Sequence, residues 1–224
     1  MKTVVVSIGG SVVLSDEADA LFLKKLATLF KKISDEYKLY VIVGGGNIAR
    51  RYIQLGRELR FDEDTLDLIG IDVTRVNARI ITNLIGISNK EIPHITNEAI
   101  KLNFPIVVMG GTDPKHSTDL VGAELAEKTK AVRFVNATNV DGIYDKDPNK
   151  YKDAKQLKKV TIDSLITQYG TIWGAAGKNI FMDEPALEII KRSKITTYIV
   201  NGKRLDQLEK ALIGQSFDGT IILV

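Results

Sequence analysis

The chemistry of this chain must be carried by glycine amides, Arg, Lys, Asp and hydroxyls, because cysteine is absent and only His94 and His116 are present. That removes disulfides, thiolate catalysis and Cys-ligated metals, and makes a His-based metal cage or a Ser-His-Asp triad hard to build. Three glycine junctions form the recurring pattern: Gly9-Gly10-Ser11, Gly44-Gly45-Gly46 and Gly110-Gly111-Thr112. Each follows directly on an apolar, strand-forming run, at 3–8, 39–43 and 105–109. A strand running into glycines and then a helix lets the backbone approach a ligand closely, and it aims unpaired N–H groups and the positive end of the helix dipole at that ligand. An anion is the natural guest, and three such junctions suit several phosphates better than one carboxylate. Phosphoryl transfer, in which positioning and charge neutralisation supply most of the catalysis, is the expected reaction class.

The clearest junction is 39–51, read as a buried parallel strand, three glycines and a helix from about Asn47. An ordinary turn would need one glycine, and each extra one costs about 1 kcal/mol of backbone entropy relative to alanine. Gly44-x-Gly46-x-x-Ala49 also matches a dinucleotide fingerprint, which requires a second strand ending in an acidic residue about 20 positions on. Residues 57–67 are charged and unlike a buried strand, so that reading fails.

The elements that must position these junctions follow from periodicity. Helical spacing of apolar residues predicts helices over 16–37, from 47, over 64–86 and 97–103, from 118, and over 162–169, 185–193 and 205–213. Thr118 or Asp119 is the expected cap of the helix after the third junction. Strands are expected at 3–8, 39–43, 105–109, 132–137, 196–200 and 220–223. A βαβα start implies a parallel sheet, with ligands beyond the carboxyl ends of the strands. On 64–86, Leu68, Ile69, Val73, Val76, Ile80, Ile81 and Leu84 predict a long buried helix with Asp67 and Arg75 on or beside it.

The 224 residues suffice for one large α/β domain, and 44% hydrophobic with 26% charged residues describes a folded globule. A net charge of +3 from 31 basic and 28 acidic residues, interspersed, argues against nucleic acid and membrane surfaces as partners. The apolar stretch near the N-terminus is broken by Gly9-Gly10 and followed by acids, so it reads as strand and turn instead of a signal peptide, and a cytoplasmic protein is expected. Lys31-Lys32, Lys158-Lys159 and Arg51 read as solvated faces.

Taken in order, Ile8-Gly9-Gly10-Ser11, Gly44-Gly45-Gly46-Asn47 with Arg50, Asp67-x-x-Gly70 with Asn77, Gly110-Gly111-Thr112 through Thr118-Asp119, and 138–144 with Asp147-Pro148 resemble the amino-acid-kinase family. Within it the pattern is similar to the uridine monophosphate kinases of the archaeal type, over the whole chain. The resemblance implies a single α/β domain, a three-layer α/β/α sandwich around a mainly parallel sheet, with an acceptor-binding half at about 1–128 and an ATP-binding half at about 129–224. It also implies Mg-ATP as donor, UMP as acceptor and a homohexamer built from dimers. Carried over by residue, ATP would meet Ser7, Gly9, Gly10, Ser11, Gly46, Arg50, Thr138, Asn139, Tyr144 and Asp147. UMP would meet Gly45, Asp67, Thr112, Asp113, Pro114, Lys115, His116, Ser117 and Thr118. Mg²⁺ would be held mostly by phosphates and water, since no carboxylate cluster marks a cage.

Each of these has a plainer reading: Asp67 as an exposed acid, Asp119 as a helix cap, Tyr144 as core, His116 as a surface histidine. One departure stands out. Many family members carry lysine where this chain has Ser7, and a second lysine usual near Met182-Asp183 is out of register. Arg50 and Lys178, the latter in the glycine-rich stretch 174–178, are the cations expected to meet the transferred group. Other acceptors of the family, isopentenyl phosphate or carbamate, and a non-catalytic nucleotide-binding or oxyanion-storage role stay open on sequence alone.

Overall fold

The computed structural model describes residues 1–14, 19–146, 150–169 and 182–224. In chain order the elements are β1 (Lys2–Ile8), α1 (Gly10–Val13), α2 (Ala20–Ser34), β2 (Tyr37–Val43), α3 (Gly46–Glu58), α4 (Glu63–Ile85), α5 (Thr96–Ala99), β3 (Ile106–Met109) and α6 (Thr118–Lys128). They continue as β4 (Arg133–Thr138), β5 (Ile143–Tyr144), β6 (Gln156–Leu157), β7 (Lys159–Thr161), α7 (Ile162–Tyr169), α8 (Glu184–Ser193), β8 (Thr197–Asn201), α9 (Leu205–Ile213) and β9 (Gly219–Leu223).

A seven-stranded sheet in the order β3-β2-β1-β4-β8-β9-β7 forms the middle layer. β3, β2, β1, β4 and β8 are parallel to one another, and β9 alone pairs antiparallel, with β8. β5 and β6 make a separate antiparallel pair. The period of two divides the core cleanly. Val4, Val6 and Ile8 of β1 face one hydrophobic cluster with Phe30 of α2, Ile81 of α4 and Leu208 of α9. Val5 faces the other, with Val121 of α6 and Leu187 of α8. Burial on both faces explains why these strands are continuous apolar runs without alternation.

Several expectations are corrected. The second helix starts at Ala20, because the Asp19 carboxylate accepts the Leu21 N–H, and it ends at Ser34 instead of 37, where the chain turns into β2. α6 is capped by neither Thr118 nor Asp119: the Ser117 hydroxyl accepts the Leu120 N–H at 3.0 Å. That shift places Asp119 in the first turn, with its side chain free to turn inward. α1 and the short strands β5, β6 and β7 are too brief to show periodicity. On α4 the buried stripe includes Leu66, Ile71, Thr74, Asn77, Ala78 and Ile81, while Leu68, Val76 and Ile80 are exposed. That helix carries apolar residues on most of its sides, so the pattern could not say which stripe faces the sheet.

Candidate active site

The parallel strands end level with one another. Ile8 pairs with Val43 and with Ala137, Ile42 with Met109, and Thr138 with Asn201, so the loops after β1, β2, β3, β4 and β8 open on one edge. The first two glycine junctions lie backbone against backbone. A Cβ on Gly10 would stand 2.5 Å from the Gly44 oxygen and collide with the Gly46 nitrogen, and one on Gly44 would stand 2.8 Å from the Gly10 nitrogen. Gly46, at φ +66, also needs the left-handed conformation. The N-termini of α1 and α3, with their unpaired amides, therefore meet at one point.

Within this edge some amides are already engaged. Gly9 N–H donates to Ala137 O and Gly44 N–H to Ile8 O, both at 3.0 Å. Gly111 N–H donates to Thr74 Oγ1 at 2.6 Å. The third junction is thus no full donor pair, which the sequence could not show because the partner lies on α4. Arg50 sits one turn into α3, exposed, with its guanidinium donating to Asn47.

The loop after β3 is tied to α4. Asp67 Oδ2 accepts Lys115 N–H at 2.8 Å, Lys115 at φ +67 in the left-handed region, and the Lys115 ammonium lies 3.4 Å from Asp64. Arg75 donates to the Thr112 carbonyl at 3.3 Å. Asp67 is therefore joined to the loop 112–118 predicted to share its ligand. Three polar atoms around that loop are buried without a partner: Thr112 Oγ1, His116 Nδ1 and Arg75 Nε. Buried polar atoms are nearly always paired, so this is where a bound ligand or water would satisfy them. Asp113 is exposed, and Pro114, Ser117 and Thr118 are half-buried beside it.

Beneath the junctions lies a buried polar group. Ser7, 1% exposed, donates its hydroxyl to Asp119 Oδ1 at 2.9 Å. Burial pushes the Asp119 carboxyl up from 3.8 to about 7, while hydrogen bonds from Ser7 and Asn136 oppose the shift and the negative charge of Asp183 adds to it. Asp183, at the N-terminus of α8, is itself raised by burial, opposed mainly by a hydrogen bond from Ser117. The position of the usual lysine is thus joined to an acid on α6, and Asp119, left open between cap and function in sequence, is not the cap.

On the side of β4, Thr138 Oγ1 accepts Val140 N–H at 3.0 Å and Asn139 is exposed. Tyr144 is half-buried, its hydroxyl raised by burial and then by Asp141 and Asp218. An ionic network missed in sequence borders it. Asn201 and Arg204 converge on Asp141 at 3.0 and 3.5 Å, and Arg204 and Lys158 hold Asp218 at 2.6 and 2.5 Å. Lys158 and Arg204 keep the Asp218 carboxyl down at about 2. Lys158, read as a solvated face, is thus part of this network. Asp147 and Lys178 lie outside the described residues. An open groove of about 530 Å³ is lined by Asn47, Arg50, Arg51, Gln54, Leu55 and Glu58, one flank of α3 that starts at the second junction.

A mainly parallel sheet, paired glycine junctions at its carboxyl edge and a polar loop fastened to α4 make a phosphotransferase-like site. The sequence profile of the amino acid kinase family matches residues 2–201, and the chain belongs to that family. Among its relatives, a uridylate kinase of Methanobrevibacter smithii is 41% identical over 98% of both chains. One of Methanocaldococcus jannaschii is 43% identical over 98% of both. The crystal structure of uridylate kinase from Archaeoglobus fulgidus superposes with a TM-score of 0.88 at 38% identity, covering 99% of this chain and 100% of that one. UMP kinase from Ureaplasma parvum, at 23% identity and a TM-score of 0.81, shares the fold.

Proposed function

We propose that the protein transfers the γ-phosphoryl group of Mg-ATP to UMP, giving UDP and ADP. The observation that carries this reading is the contact between the Gly10 and Gly44–Gly46 backbones, which brings two helix N-termini together beside the Asp67-tethered loop. The uridylate kinases that match nearly the full length of the chain support the acceptor. The Gly10, Ser11 and Gly46 amides receive ATP phosphates, and Thr138, Asn139, Tyr144 and Asp147 hold the rest of that nucleotide, in the half at about 129–224. Gly45, Asp67 and the loop from Thr112 to Thr118 hold UMP, in the half at about 1–128. The UMP phosphate oxygen attacks the γ-phosphorus in line as ADP leaves, with Arg50 and Lys178 meeting the charge that spreads over the equatorial oxygens. Ser7 acts from below through Asp119.

Mg²⁺, which prefers phosphate and water oxygens, is carried mainly by the ATP phosphates. When bound, the ion neutralises charge on the transferred group. Tyr52 and Leu55 of α3, Leu59 and Phe61 after it, and Leu68 and Val76 of α4 are large exposed apolar residues on or beside two helices that pack together. Such a surface supports assembly of copies, in a homohexamer built from dimers. No helix among the described residues is long and apolar enough to cross a membrane, and the protein works in the cytoplasm on free nucleotides.

The test is coupled ADP release with ATP and Mg²⁺ across UMP, CMP, dUMP, carbamate and isopentenyl phosphate. UMP is expected to be the preferred acceptor, with no turnover in EDTA. Another acceptor used at least about tenfold more efficiently than UMP refutes the assignment.

A further inference from the structure

We propose that Thr74 and Asn77, one turn apart on the buried face of α4, are positioning residues that orient the peptides of two glycine junctions and hold them in register. Asn77, 2% exposed, donates its side-chain amide to Gly44 O at 2.8 Å and to Gly45 O at 3.3 Å. Thr74, 7% exposed, donates its hydroxyl to Ile71 O at 2.6 Å and accepts Gly111 N–H at 2.6 Å.

The consequence follows from peptide geometry. In a planar trans peptide the carbonyl of one residue and the N–H of the next point in opposite directions. By holding the Gly44 and Gly45 carbonyls, Asn77 turns the Gly45 and Gly46 N–H groups away from α4. By accepting Gly111 N–H, Thr74 does the reverse at the third junction and turns the Gly110 carbonyl away from the helix. One junction is thereby set to present donors and the other to present an acceptor. The threonine proton is committed to Ile71, so towards Gly111 the hydroxyl oxygen can only accept. No side chain fits between these parts, since a Cβ on Gly110 would stand 2.5 Å from Thr74 Oγ1 and 2.9 Å from the Arg75 nitrogen.

Both residues lie on the helix that carries Asp67, so one rigid element sets the spacing between the phosphate-facing amides and the acceptor loop. Buried, fully engaged hydrogen bonds of this kind hold a constellation to the tolerance that in-line transfer requires. Neither residue touches substrate, and the effect falls on the chemical step more than on binding. This role rests on the phosphotransferase reading.

The experiment compares T74V, which keeps the shape and removes the hydroxyl, with T74S, which restores it, and adds N77D. T74V is expected to lower kcat for UMP roughly tenfold to a hundredfold, with KM for ATP and UMP within about threefold of the parent. T74S should return kcat to within about threefold of the parent. In amide hydrogen exchange T74V should speed exchange in 110–112 and leave α4 protected. N77D should speed exchange in 44–46; if it does not fold, the Thr74 pair decides. A T74V kcat within about threefold of the parent, a T74S loss as large as that of T74V, or unchanged exchange in 110–112 overturns the proposal. Failure of the parent to phosphorylate UMP counts against the kinase reading, and hydrogen exchange then decides the positioning role alone.

Discussion

Replacing Asp119 with Asn should stabilise the protein, and increasingly so as the pH rises. In the folded chain the Asp119 carboxyl titrates at about 7 against an ordinary 3.8, chiefly through burial. Between those values the folded state holds a proton that the unfolded state has released, so stability falls as pH rises through the interval. At about 1.4 kcal/mol per pH unit, the full cost of ionising the buried carboxyl is on the order of 4 kcal/mol above pH 7. Asn carries no proton to lose and keeps an oxygen for the Ser7 hydroxyl, which donates to Oδ1 at 2.9 Å. D119N should therefore match the parent only below about pH 4, lead it by about 1.5 kcal/mol near pH 5 and by about 4 kcal/mol near pH 8. For a chain of this length about 4 kcal/mol corresponds to roughly 10 °C in Tm. The assay is thermal unfolding by circular dichroism in parallel buffers from pH 5 to 8, taking the difference between the two proteins so that all other titrations cancel. A difference that is flat across this range, or that shrinks as pH rises, would show that the carboxyl is ionised throughout and refute the argument from burial.

D67N should raise KM for UMP about 10- to 100-fold through loss of a charged acceptor and leave KM for ATP nearly unchanged, because Asp67 holds the Lys115 amide of the acceptor loop; steady-state kinetics giving equal effects on both substrates would make Asp67 structural. R50A should keep the parent Tm, since Arg50 is exposed, yet lower kcat roughly 10²–10³-fold; a kcat within about threefold would transfer the role to Lys178 and the backbone amides. G10A should destabilise by more than about 4 kcal/mol or prevent soluble expression, as its methyl would lie against the Gly44 and Gly46 backbone; denaturant unfolding with a parental midpoint would refute the close packing.

Much of the fold and part of the site were legible in the chain itself. The strands at 39–43 and 105–109 were readable because burial on both faces leaves an unbroken apolar run, and the glycine junctions because only glycine serves at such close approach. The helix predicted over 205–213 is found with those bounds. The glycine junctions pointed to phosphoryl transfer, and the nucleotide substrates followed from the resemblance to the amino-acid-kinase family. Contacts between residues far apart in sequence were decided by tertiary structure. Ser7 and Asp119 are separated by 112 positions, and only the stacking of β1 under α6 makes them partners and desolvates the acid. The Gly111 amide looks available in sequence until α4 brings Thr74 to it, and the same helix, with apolar residues on most of its sides, hides which stripe is buried until the sheet takes one. Local propensity and periodicity act over a few residues along the chain, whereas desolvation, hydrogen-bond occupancy and pKa depend on what the folded chain packs against each group.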